Sequence, residues 1–286
     1  MARHAELIAT LEALPGVTLR IDERVARHSA LRIGGEVEAW VLVHDEAGVK
    51  AVLSALRKAK LDLREHQPLG DHYAREEGLS GAMLRLGPSF GQVSIDDDTL
   101  QVGAAVPLAQ VGVMAQRAGL SRWAPLRTWP GTLGGWVKTA DAEALAPLVV
   151  SVRAAVGRGI VNRSGTALAG LGRKAVILGA TLVGRPDAAL PPPPSCPGSL
   201  FVLDAPLRLV MAQSRLPGLR LRSIRLAGEQ AGLVVNLGSG VSRDLDLVIR
   251  LVKDRLRRDH GIEVVFRLQP MGRPPKNSPV DRLSFP

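Results

Sequence analysis

Cysteine is almost absent from this sequence, since the 286 residues contain only Cys196. A single thiol excludes an intramolecular disulfide and a metal site built from several cysteines, and it favours a reducing compartment. Histidine does not replace it as a metal ligand. The side chains of His28, His44, His66 and His72 are dispersed without metal-ligand spacing, so we predict no metal site.

Aromatic residues and long apolar runs are also scarce. Aromatic residues make up 3% of the chain, which leaves few rings on which nucleic-acid bases could stack. Hydrophobic residues make up 46%, yet no apolar stretch approaches the ~20 residues that cross a bilayer. The first residues, MARHAELIATLEAL, form an amphipathic pattern without the apolar core of a signal peptide. We therefore predict a cytoplasmic protein without membrane insertion.

Acidic residues are outnumbered by basic ones, 27 to 37, which gives a formal net charge of +10. Positive charge attracts phosphate, so nucleic acid and phosphate-bearing small molecules are both candidate ligands. Because the arginines are scattered and rings are few, the composition favours small molecules and predicts no specific nucleic-acid partner. A weaker alternative, a polyanion-binding protein, rests on the net charge and on a group of arginines, Arg215, Arg220, Arg222 and Arg225.

Hydrophobic periodicity predicts a chain of mixed strands and helices. Apolar side chains recur at helical spacing in some segments, while others are continuous apolar runs typical of buried strands. The main predictions are strands over Val37–Val43, Ala175–Val183, Leu219–Leu226 and Ile262–Phe266, a helix over Glu46–Lys60, a strand pair turning at Val156–Gly159, and a helix from an N-cap at Ser242 to Gly261.

Proline divides the sequence near its last third. The run Pro191–Pro194 cannot form a helix or a central strand, so it predicts a stiff linker. The final segment, residues 273–286, has the composition of a disordered tail. We therefore expect a separate folding unit between the linker and the tail.

Three glycine-bearing segments are candidate ligand contacts. They are Leu31–Gly35 (LRIGG), Trp129–Gly135 (WPGTLGG) and Pro197–Phe201 (PGSLF). Glycine lets a backbone approach a ligand closely and present amides to an anion. A glycine pair alone is more often an ordinary tight turn, so the order and spacing of the three segments matter more than any one of them.

In that order and spacing the sequence resembles the UDP-N-acetylenolpyruvoylglucosamine reductase family, MurB, from about Leu19 to Gly272. The most specific match is the family's proline-glycine-threonine-x-glycine-glycine turn at Pro130–Gly135. Arg32–Gly35 matches the family's first flavin-contacting turn. Val234–Gly238, followed by the Ser242 helix and Gly261–Glu263, matches the closing domain.

The resemblance implies an α+β (α/β) fold, with a PCMH-type flavin fold of two subdomains and a C-terminal MurB-type α/β substrate domain. We place the N-terminal flavin-type subdomain at residues 1–86 and the second at 87–190. A proline-rich linker follows at 191–197, the substrate-type domain at 198–272 and the tail at 273–286.

The resemblance also implies a chemistry with FAD as cofactor, NADPH as reductant and a UDP-sugar as substrate. Ser199 falls on the family's proton-donating serine, and Arg173 falls near its catalytic arginine. The residues that the resemblance assigns to the flavin are Arg32, Gly34, Gly35, Gly70, Pro130, Gly131, Thr132, Gly134 and Gly135.

Several positions depart from the family pattern. The family's glycine-rich phosphate loop corresponds to Gln67–Asp71, where Gly70 alone can serve as a loop glycine and Asp71 would repel a phosphate. A second flavin-contacting stretch is replaced by Thr139–Ala142, and Val202 occupies the position of a substrate-binding lysine. Arg267 lies where the catalytic glutamate is expected. These departures predict that FAD binding and turnover are weakened or lost.

Three functions therefore remain open at the level of sequence. The first is a MurB-like reductase of peptidoglycan precursor synthesis with impaired or lost activity. The second is a non-catalytic protein of the same fold that serves as a binding or structural partner in cell-wall or division machinery. The third is the weaker polyanion-binding alternative.

Overall fold

The computed structural model describes residues 2–61, 63–65, 72–96, 98–172, 175–191, 199–200, 205–228 and 232–272. Within these ranges the α-helices are α1 (Ala2–Glu12), α2 (Glu46–Ala59), α3 (Leu108–Arg117), α4 (Leu133–Thr139), α5 (Ala142–Leu145), α6 (Ala205–Gln213) and α7 (Ser242–His260). Short 3-10 helices cover Val25–Arg27, Pro88–Phe90, Ser121–Thr128 and Gly165–Leu171.

The strands alternate with these helices along the chain. They are β1 (Val17–Arg24), β2 (Glu36–Val43), β3 (Leu63–Glu65), β4 (His72–Ala74), β5 (Leu79–Leu86), β6 (Val93–Ile95), β7 (Thr99–Gly103), β8 (Val149–Val156), β9 (Gly159–Ser164), β10 (Val176–Val183), β11 (Arg220–Leu221), β12 (Ile224–Leu226), β13 (Val234–Asn236) and β14 (Gln269–Met271). They form sheets in the orders β1-β2-β5-β3, β6-β7-β10-β8-β9 and β11-β12-β13, and β14 pairs with β4.

The best-defined predictions from sequence are confirmed in the first half of the chain. Helix α2 begins where Asp45 accepts a hydrogen bond of 2.7 Å from the Gly48 amide, and it ends at Lys60, whose φ of +53° closes the last turn. Its buried face includes Val49, Val52 and Leu56, as the helical spacing predicts. Strand β2 extends the predicted Val37–Val43 by one residue.

The five-stranded sheet is antiparallel. Strand β10 lies at its centre and pairs with β7 on one side and β8 on the other. β8 then turns back into β9, with Val156 opposite Gly159, so the predicted strand pair and its turn are confirmed. The mixture of helices with antiparallel and parallel pairings, such as β3 beside β5, makes this an α+β fold.

Contacts within the chain divide it into two compact units, and each unit is discontinuous in sequence. Unit 1 comprises Met1–Ile21, Ala39–Gln67 and Gly81–Pro194. Unit 2 comprises Asp22–Glu38, Pro68–Ser80 and Ser195–Pro286. The boundaries 1–86, 87–190 and 198–272 remain a prediction. Of the predicted linker 191–197 only Pro191 is described, and the predicted tail 273–286 lies outside the described residues.

Each unit has its own buried apolar side chains. Unit 1 contains two clusters, one around the five-stranded sheet with Trp123, Trp136 and Leu133, and one that joins α1 and α2 to β2 and β5. Unit 2 has a single large cluster among the described residues, in which Leu31, Ile33 and Tyr73 pack with side chains of β12, β13 and α7. Two short early segments therefore complete a core that is otherwise built from the last third of the chain.

Three predictions about the last third are wrong. The single strand predicted over Leu219–Leu226 is the hairpin of β11 and β12, which turns at Arg222 with a φ of +50°. The predicted strand Ile262–Phe266 joins no sheet of the described residues, and Val265 is 70% exposed. A strand forms instead at Gln269–Met271, parallel to β4.

The N-cap of α7 is the third correction. Val241 occupies the cap position, with φ −116° and ψ 166°, and Ser242 is the first helical residue. The Ser242 hydroxyl donates to the Glu76 carboxylate, and the Ser242 amide lies 2.9 and 2.8 Å from the two Glu76 oxygens. A carboxylate at a helix N-terminus is favourable because of the unpaired amides and the helix dipole. Glu76 therefore takes over part of the capping that the sequence assigns to Ser242.

Candidate functional site

The predicted flavin turn Pro130–Gly135 lies in unit 1, immediately before and within the first turn of α4. The Thr132 side chain caps this helix by accepting a hydrogen bond of 3.3 Å from the Gly135 amide. Gly131 has a φ of +92°, and a Cβ atom built on it would meet nothing within 4 Å. A left-handed backbone facing open space is what close approach by a ligand requires.

Two other amides of this turn are already used by the protein. The Leu133 amide donates to the Val106 carbonyl at 2.9 Å, and the Gly134 amide donates to the Ala104 carbonyl at the same distance. A Cβ at Gly134 would lie 2.9 Å from the Cβ of Ala104. Gly134 is therefore explained by packing of α4 against the strand that ends at Gly103.

Tryptophans support this turn from within the unit. Trp129 and Trp136 meet edge to face with ring centroids 5.9 Å apart, and Trp123 and Trp136 do so at 6.3 Å. The Trp136 indole N–H is buried without an acceptor among the described residues. Edge-to-face pairs stabilise a buried aromatic cluster, so the backbone of the turn rests on a rigid apolar base. The sequence analysis missed this cluster, although three tryptophans within fourteen residues (123–136) are a visible signal.

The second glycine turn, Arg32–Gly35, lies in unit 2 and packs against the segment after β4. The Gly35 amide donates to the Arg75 carbonyl at 3.0 Å, and a Cβ at Gly35 would lie 2.2 Å from the Glu76 carbonyl oxygen. Gly34, with a φ of +133°, would place a Cβ 2.8 Å from the Cβ of Ala74. Both glycines are therefore required by close packing of the protein on itself, whatever they contribute to a ligand.

A cavity of about 330 Å³ lies beside this turn, and its charge is negative. Gly35 lines it together with carboxylates, and Arg24 is the one basic residue among the described residues that line it. The acidic lining residues are Asp22, Glu36, Glu38, Glu76 and Glu77. Such a lining repels phosphate, so this cavity does not suit the diphosphate of a nucleotide cofactor.

Two predicted site residues, Gly70 and Arg173, lie outside the described residues, as does Gln67–Asp71, the stretch that the resemblance matches to the family's phosphate loop. Their roles remain predictions. The turn Pro130–Gly135 and the turn Arg32–Gly35 belong to different units, and each is described by itself.

Ser199, the predicted proton donor, belongs to unit 2. It forms an antiparallel bridge with Leu233, and the amide of its neighbour Leu200 donates to the Gly232 carbonyl at 2.8 Å. The Leu200 carbonyl accepts from the Arg267 amide at 2.7 Å. The structure thus brings the backbone of Arg267, the residue in the expected position of the glutamate, next to the Ser199–Leu200 pair.

Unit 2 also contains a buried polar cluster that the sequence analysis missed. The Tyr73 hydroxyl, fully buried, donates a short hydrogen bond to the Asp246 carboxylate, which is 4% exposed. Arg75 is 6% exposed, and its Nε and Nη1 atoms have no partner among the described residues. Glu76 binds Ser242 at the start of α7. These groups fix the first turn of α7 to the segment after β4.

Burial changes the protonation behaviour of this cluster. Burial raises the pKa of the Tyr73 hydroxyl, and the charge and hydrogen bond of Asp246 raise it further. Burial also raises the pKa of Asp246, against the opposing effects of the Tyr73 hydrogen bond and the Arg75 charge. A charged carboxylate is costly in such surroundings unless it is paired. Ionisation of Asp246 therefore costs more free energy in the folded protein than in water.

A second cavity, of about 380 Å³, lies on the five-stranded sheet of unit 1. Its lining mixes apolar and polar residues, and the polar ones include Gln92, Gln101, Ser151 and Asn162. Across the described residues, no helix has the length and apolarity to span a membrane. The same residues contain no group of three or more histidine, cysteine, aspartate or glutamate side chains that could hold a metal ion.

Comparison with known proteins identifies relatives along nearly the whole chain. No family model matches the sequence. A UDP-N-acetylenolpyruvoylglucosamine reductase of Anaeromyxobacter sp. is 28% identical, over 90% of this chain and 89% of its own length. A second reductase of that name, from Symbiobacterium thermophilum, is 25% identical over 96% of this chain and 99% of its own length.

The fold comparison gives the same result. The crystal structure of UDP-N-acetylenolpyruvylglucosamine reductase (MurB) from Thermus caldophilus matches with a TM-score of 0.66 at 19% identity, covering 90% of this chain and 99% of the other. The predicted α+β fold of the MurB type is confirmed. In sequence over about nine-tenths of its length, and in fold, this chain is thus similar to the UDP-N-acetylenolpyruvoylglucosamine reductases, the MurB family, as its motifs predicted.

Proposed function

We propose that this chain is a MurB-like protein of peptidoglycan precursor synthesis, in which the NADPH- and FAD-dependent reduction of UDP-N-acetylenolpyruvoylglucosamine is impaired or lost. The observation that carries the proposal is the similarity to reductases of that name across 90% or more of the chain. The turn Pro130–Gly135 supports it, because this is the most specific of the shared motifs and its Gly131 faces open space.

The described residues fit FAD only in part. Gly131 offers an open, left-handed backbone, and Thr132 holds the following helix turn in place. The amides of Leu133 and Gly134 are committed to carbonyls of the protein, and the cavity beside Gly35 is acidic. When bound, FAD would carry a hydride from NADPH to the enolpyruvyl group. The shortage of free amides and the acidic surroundings favour weak binding.

Ser199 is the residue to which we assign proton donation. It is half-buried and forms a bridge with Leu233, and its hydroxyl could deliver a proton to a substrate carbon. The neighbouring Arg267 cannot donate a proton at neutral pH, although a guanidinium can stabilise negative charge that develops on the substrate. Exchange of an acid for a permanent cation beside the proton donor supports an impaired rather than an intact active site.

The first test is the flavin content of the purified protein. We expect it to bind FAD on incubation, with an absorption spectrum that shows substoichiometric occupancy and that NADPH bleaches. Ser199→Ala should leave this bleaching intact and lower turnover of the enolpyruvyl substrate by about 10²–10³-fold, the cost of losing one group that acts in the transition state. Ser94→Ala, at an exposed serine of unit 1, is the matched control. It should change neither the bleaching by NADPH nor the turnover of the enolpyruvyl substrate.

The outcomes separate the possible roles. A protein that stays colourless after incubation with FAD excludes the reductase. Unchanged turnover in Ser199→Ala refutes the assignment of the proton donor. The alternative function, a non-catalytic partner protein in cell-wall or division machinery, is favoured by the position of Arg267 and requires that neither flavin reduction nor turnover be detected.

A further inference from the structure

The small sheet of unit 2 places Ser199 and two arginines on one face. Residues that lie directly opposite each other in an antiparallel pair project to the same side of a sheet, and side chains alternate along each strand. Ser199 is opposite Leu233. Leu233 and Val235 are two residues apart and share a face, and Val235 is opposite Arg225.

The hairpin continues this face to the edge of the sheet. Arg225 is opposite Arg220, so the outer side carries Ser199 beside β13, Arg225 on β12 and Arg220 on β11. The other side is buried, because Ile224, Leu226 and Val234 are at most 2% exposed and belong to the core. Both arginines are exposed. The arginine end of this face is therefore open to a ligand, and the half-buried Ser199 lies at its other end.

The placement of the two arginines is unfavourable without an anion. Like charges directly opposite in an antiparallel pair destabilise a sheet. No acidic side chain of the described residues forms an ion pair with Arg220 or Arg225, whereas Arg222 at the tip of the same hairpin pairs with Asp244 at 3.1 Å. The Arg220 Nε instead donates to the Arg222 carbonyl. An anion between the two guanidinium groups would remove the repulsion.

The distances suit a ligand of the size of a nucleotide-sugar. Neighbouring strands are ~4.8 Å apart and two residues along a strand span ~6.7 Å, so the Cα of Arg225 lies about 12 Å from that of Ser199 and the Cα of Arg220 about 16 Å. A long arginine side chain can reach back along the face towards Ser199. Planar guanidinium groups bind phosphate oxygens in pairs, and two of them in succession fit two adjacent phosphates.

We propose that Arg225 and Arg220 bind the diphosphate of a nucleoside-diphosphate sugar whose reacting group lies at Ser199. This assignment rests on the proposed function, since it takes Ser199 as the reacting end of the site. The sequence singles out these two arginines only for the weaker polyanion-binding alternative and assigns them no role in substrate binding. The net positive charge of the hairpin is then a property of one ligand contact rather than of a general polyanion surface.

The experiment is titration calorimetry at fixed ionic strength with UDP and with uridine as probes. Arg225→Gln should raise the Kd for UDP by about 10- to 100-fold, the loss of one or two charge-assisted hydrogen bonds. Arg225→Lys keeps the positive charge but loses the paired N–H donors of the guanidinium group. Its Kd for UDP should lie between those of wild type and Arg225→Gln. The Kd for uridine should change less than about twofold, because uridine has no phosphate for the arginine to bind.

Arg117→Gln is the matched control, since Arg117 is an exposed arginine of α3 in unit 1. It removes the same charge and should change the Kd for UDP by less than about twofold. Absence of UDP binding to the wild type, an unaltered Kd in Arg225→Gln, or an equal loss in Arg117→Gln would each overturn the proposal. Circular dichroism of Arg225→Gln identical to wild type supports loss of the contact rather than of the fold.

The failure of this proposal can be told apart from failure of the proposed function. If UDP binding depends on Arg225 while the enolpyruvyl substrate is not reduced, the diphosphate contact stands and the reductase does not. If the substrate is reduced and Arg225→Gln changes neither the Kd for UDP nor the KM, the proposed reductase activity is supported and the proposed diphosphate contact is refuted.

Discussion

The hydrogen bond between Tyr73 and Asp246 should contribute more than an ordinary hydrogen bond to the stability of unit 2. Both side chains are buried, and their sequence separation of 173 residues means that the bond joins distant segments. Removal of the hydroxyl in Tyr73→Phe leaves a buried carboxylate without its donor. A hydrogen bond to a charged group is worth about 1.5–3 kcal/mol, so the free energy of unfolding should fall by about that amount at neutral pH.

The charge on Asp246 determines this value. Asp246→Asn keeps an acceptor for the Tyr73 hydroxyl and removes the charge, so in that background Tyr73→Phe should cost only about 0.5–1.5 kcal/mol, as for a neutral hydrogen bond. The difference between the two costs is the coupling energy of a double-mutant cycle, on the order of 1 kcal/mol. Equal costs in both backgrounds would refute the argument from charge.

The stability of unit 2 should also depend on pH through Asp246. Burial raises the pKa of Asp246 above its ordinary value of 3.8, with Arg75 and the Tyr73 hydrogen bond opposing and Glu76 and Glu77 assisting. The folded state therefore holds this proton more tightly than the unfolded state, and stability from this group is lost as pH rises above 3.8. Asp246→Asn should consequently gain stability relative to wild type as the pH rises above the ordinary pKa of 3.8. A relative loss over that range would contradict the assigned direction.

The assay can separate the two units. Hydrogen exchange of the α7 amides, residues 242–260, reports on the first turn that the Tyr73 cluster fixes. Tryptophan fluorescence reports on unit 1, because that unit contains Trp40, Trp123, Trp129 and Trp136, which are all four tryptophans of the sequence. We expect Tyr73→Phe to accelerate exchange in α7, and a change seen only in fluorescence would refute the location of the effect.

Two further predictions concern packing and surface charge. Gly35→Ala should lower the free energy of unfolding by about 1–3 kcal/mol, because its Cβ would lie 2.2 Å from the Glu76 carbonyl oxygen. The measurement is urea unfolding, and the control is Gly159→Ala, where a Cβ meets nothing within 4 Å. An equal loss of stability in both variants would contradict the packing argument. The pair of Arg153 and Glu46 lowers the pKa of Glu46, so its stabilisation is present above the ordinary pKa of 4.5 and is lost as pH falls below it. Since both side chains are partly exposed, Glu46→Gln should cost less than about 1 kcal/mol at pH 7, and a larger loss in thermal unfolding at that pH would contradict this estimate.

The elements predicted best from the sequence are those whose signals lie within the element itself. The Asp45 cap and apolar spacing define α2, and the glycines at 157 and 159 define the turn between β8 and β9. The hairpin of β11 and β12 was missed because its turn carries Arg222 at φ +50°, a conformation that usually signals glycine or asparagine. No glycine marks that turn, so the sequence predicts one continuous strand.

The site was predicted less well than the fold, for reasons of tertiary contact. Motif matching assigns Gly34 and Gly35 to a ligand, whereas the structure shows what each packs against in the protein itself. The Ser242 cap failed because Glu76, 166 residues away, takes its hydroxyl. The face shared by Ser199 and Arg225 depends on the register of three strands, which hydrophobic periodicity does not determine.

The discontinuity of unit 2 has a consequence for synthesis on the ribosome. Leu31, Ile33 and Tyr73 emerge early, but the apolar partners that cover them in the folded unit, such as Val248, are made much later. At roughly 5–20 residues per second, Tyr73 waits on the order of ten to thirty-five seconds for Asp246. During that interval these hydrophobic side chains of the nascent chain have no partners to cover them. A chaperone that binds residues 22–38 and 68–80 would therefore raise the yield of native protein.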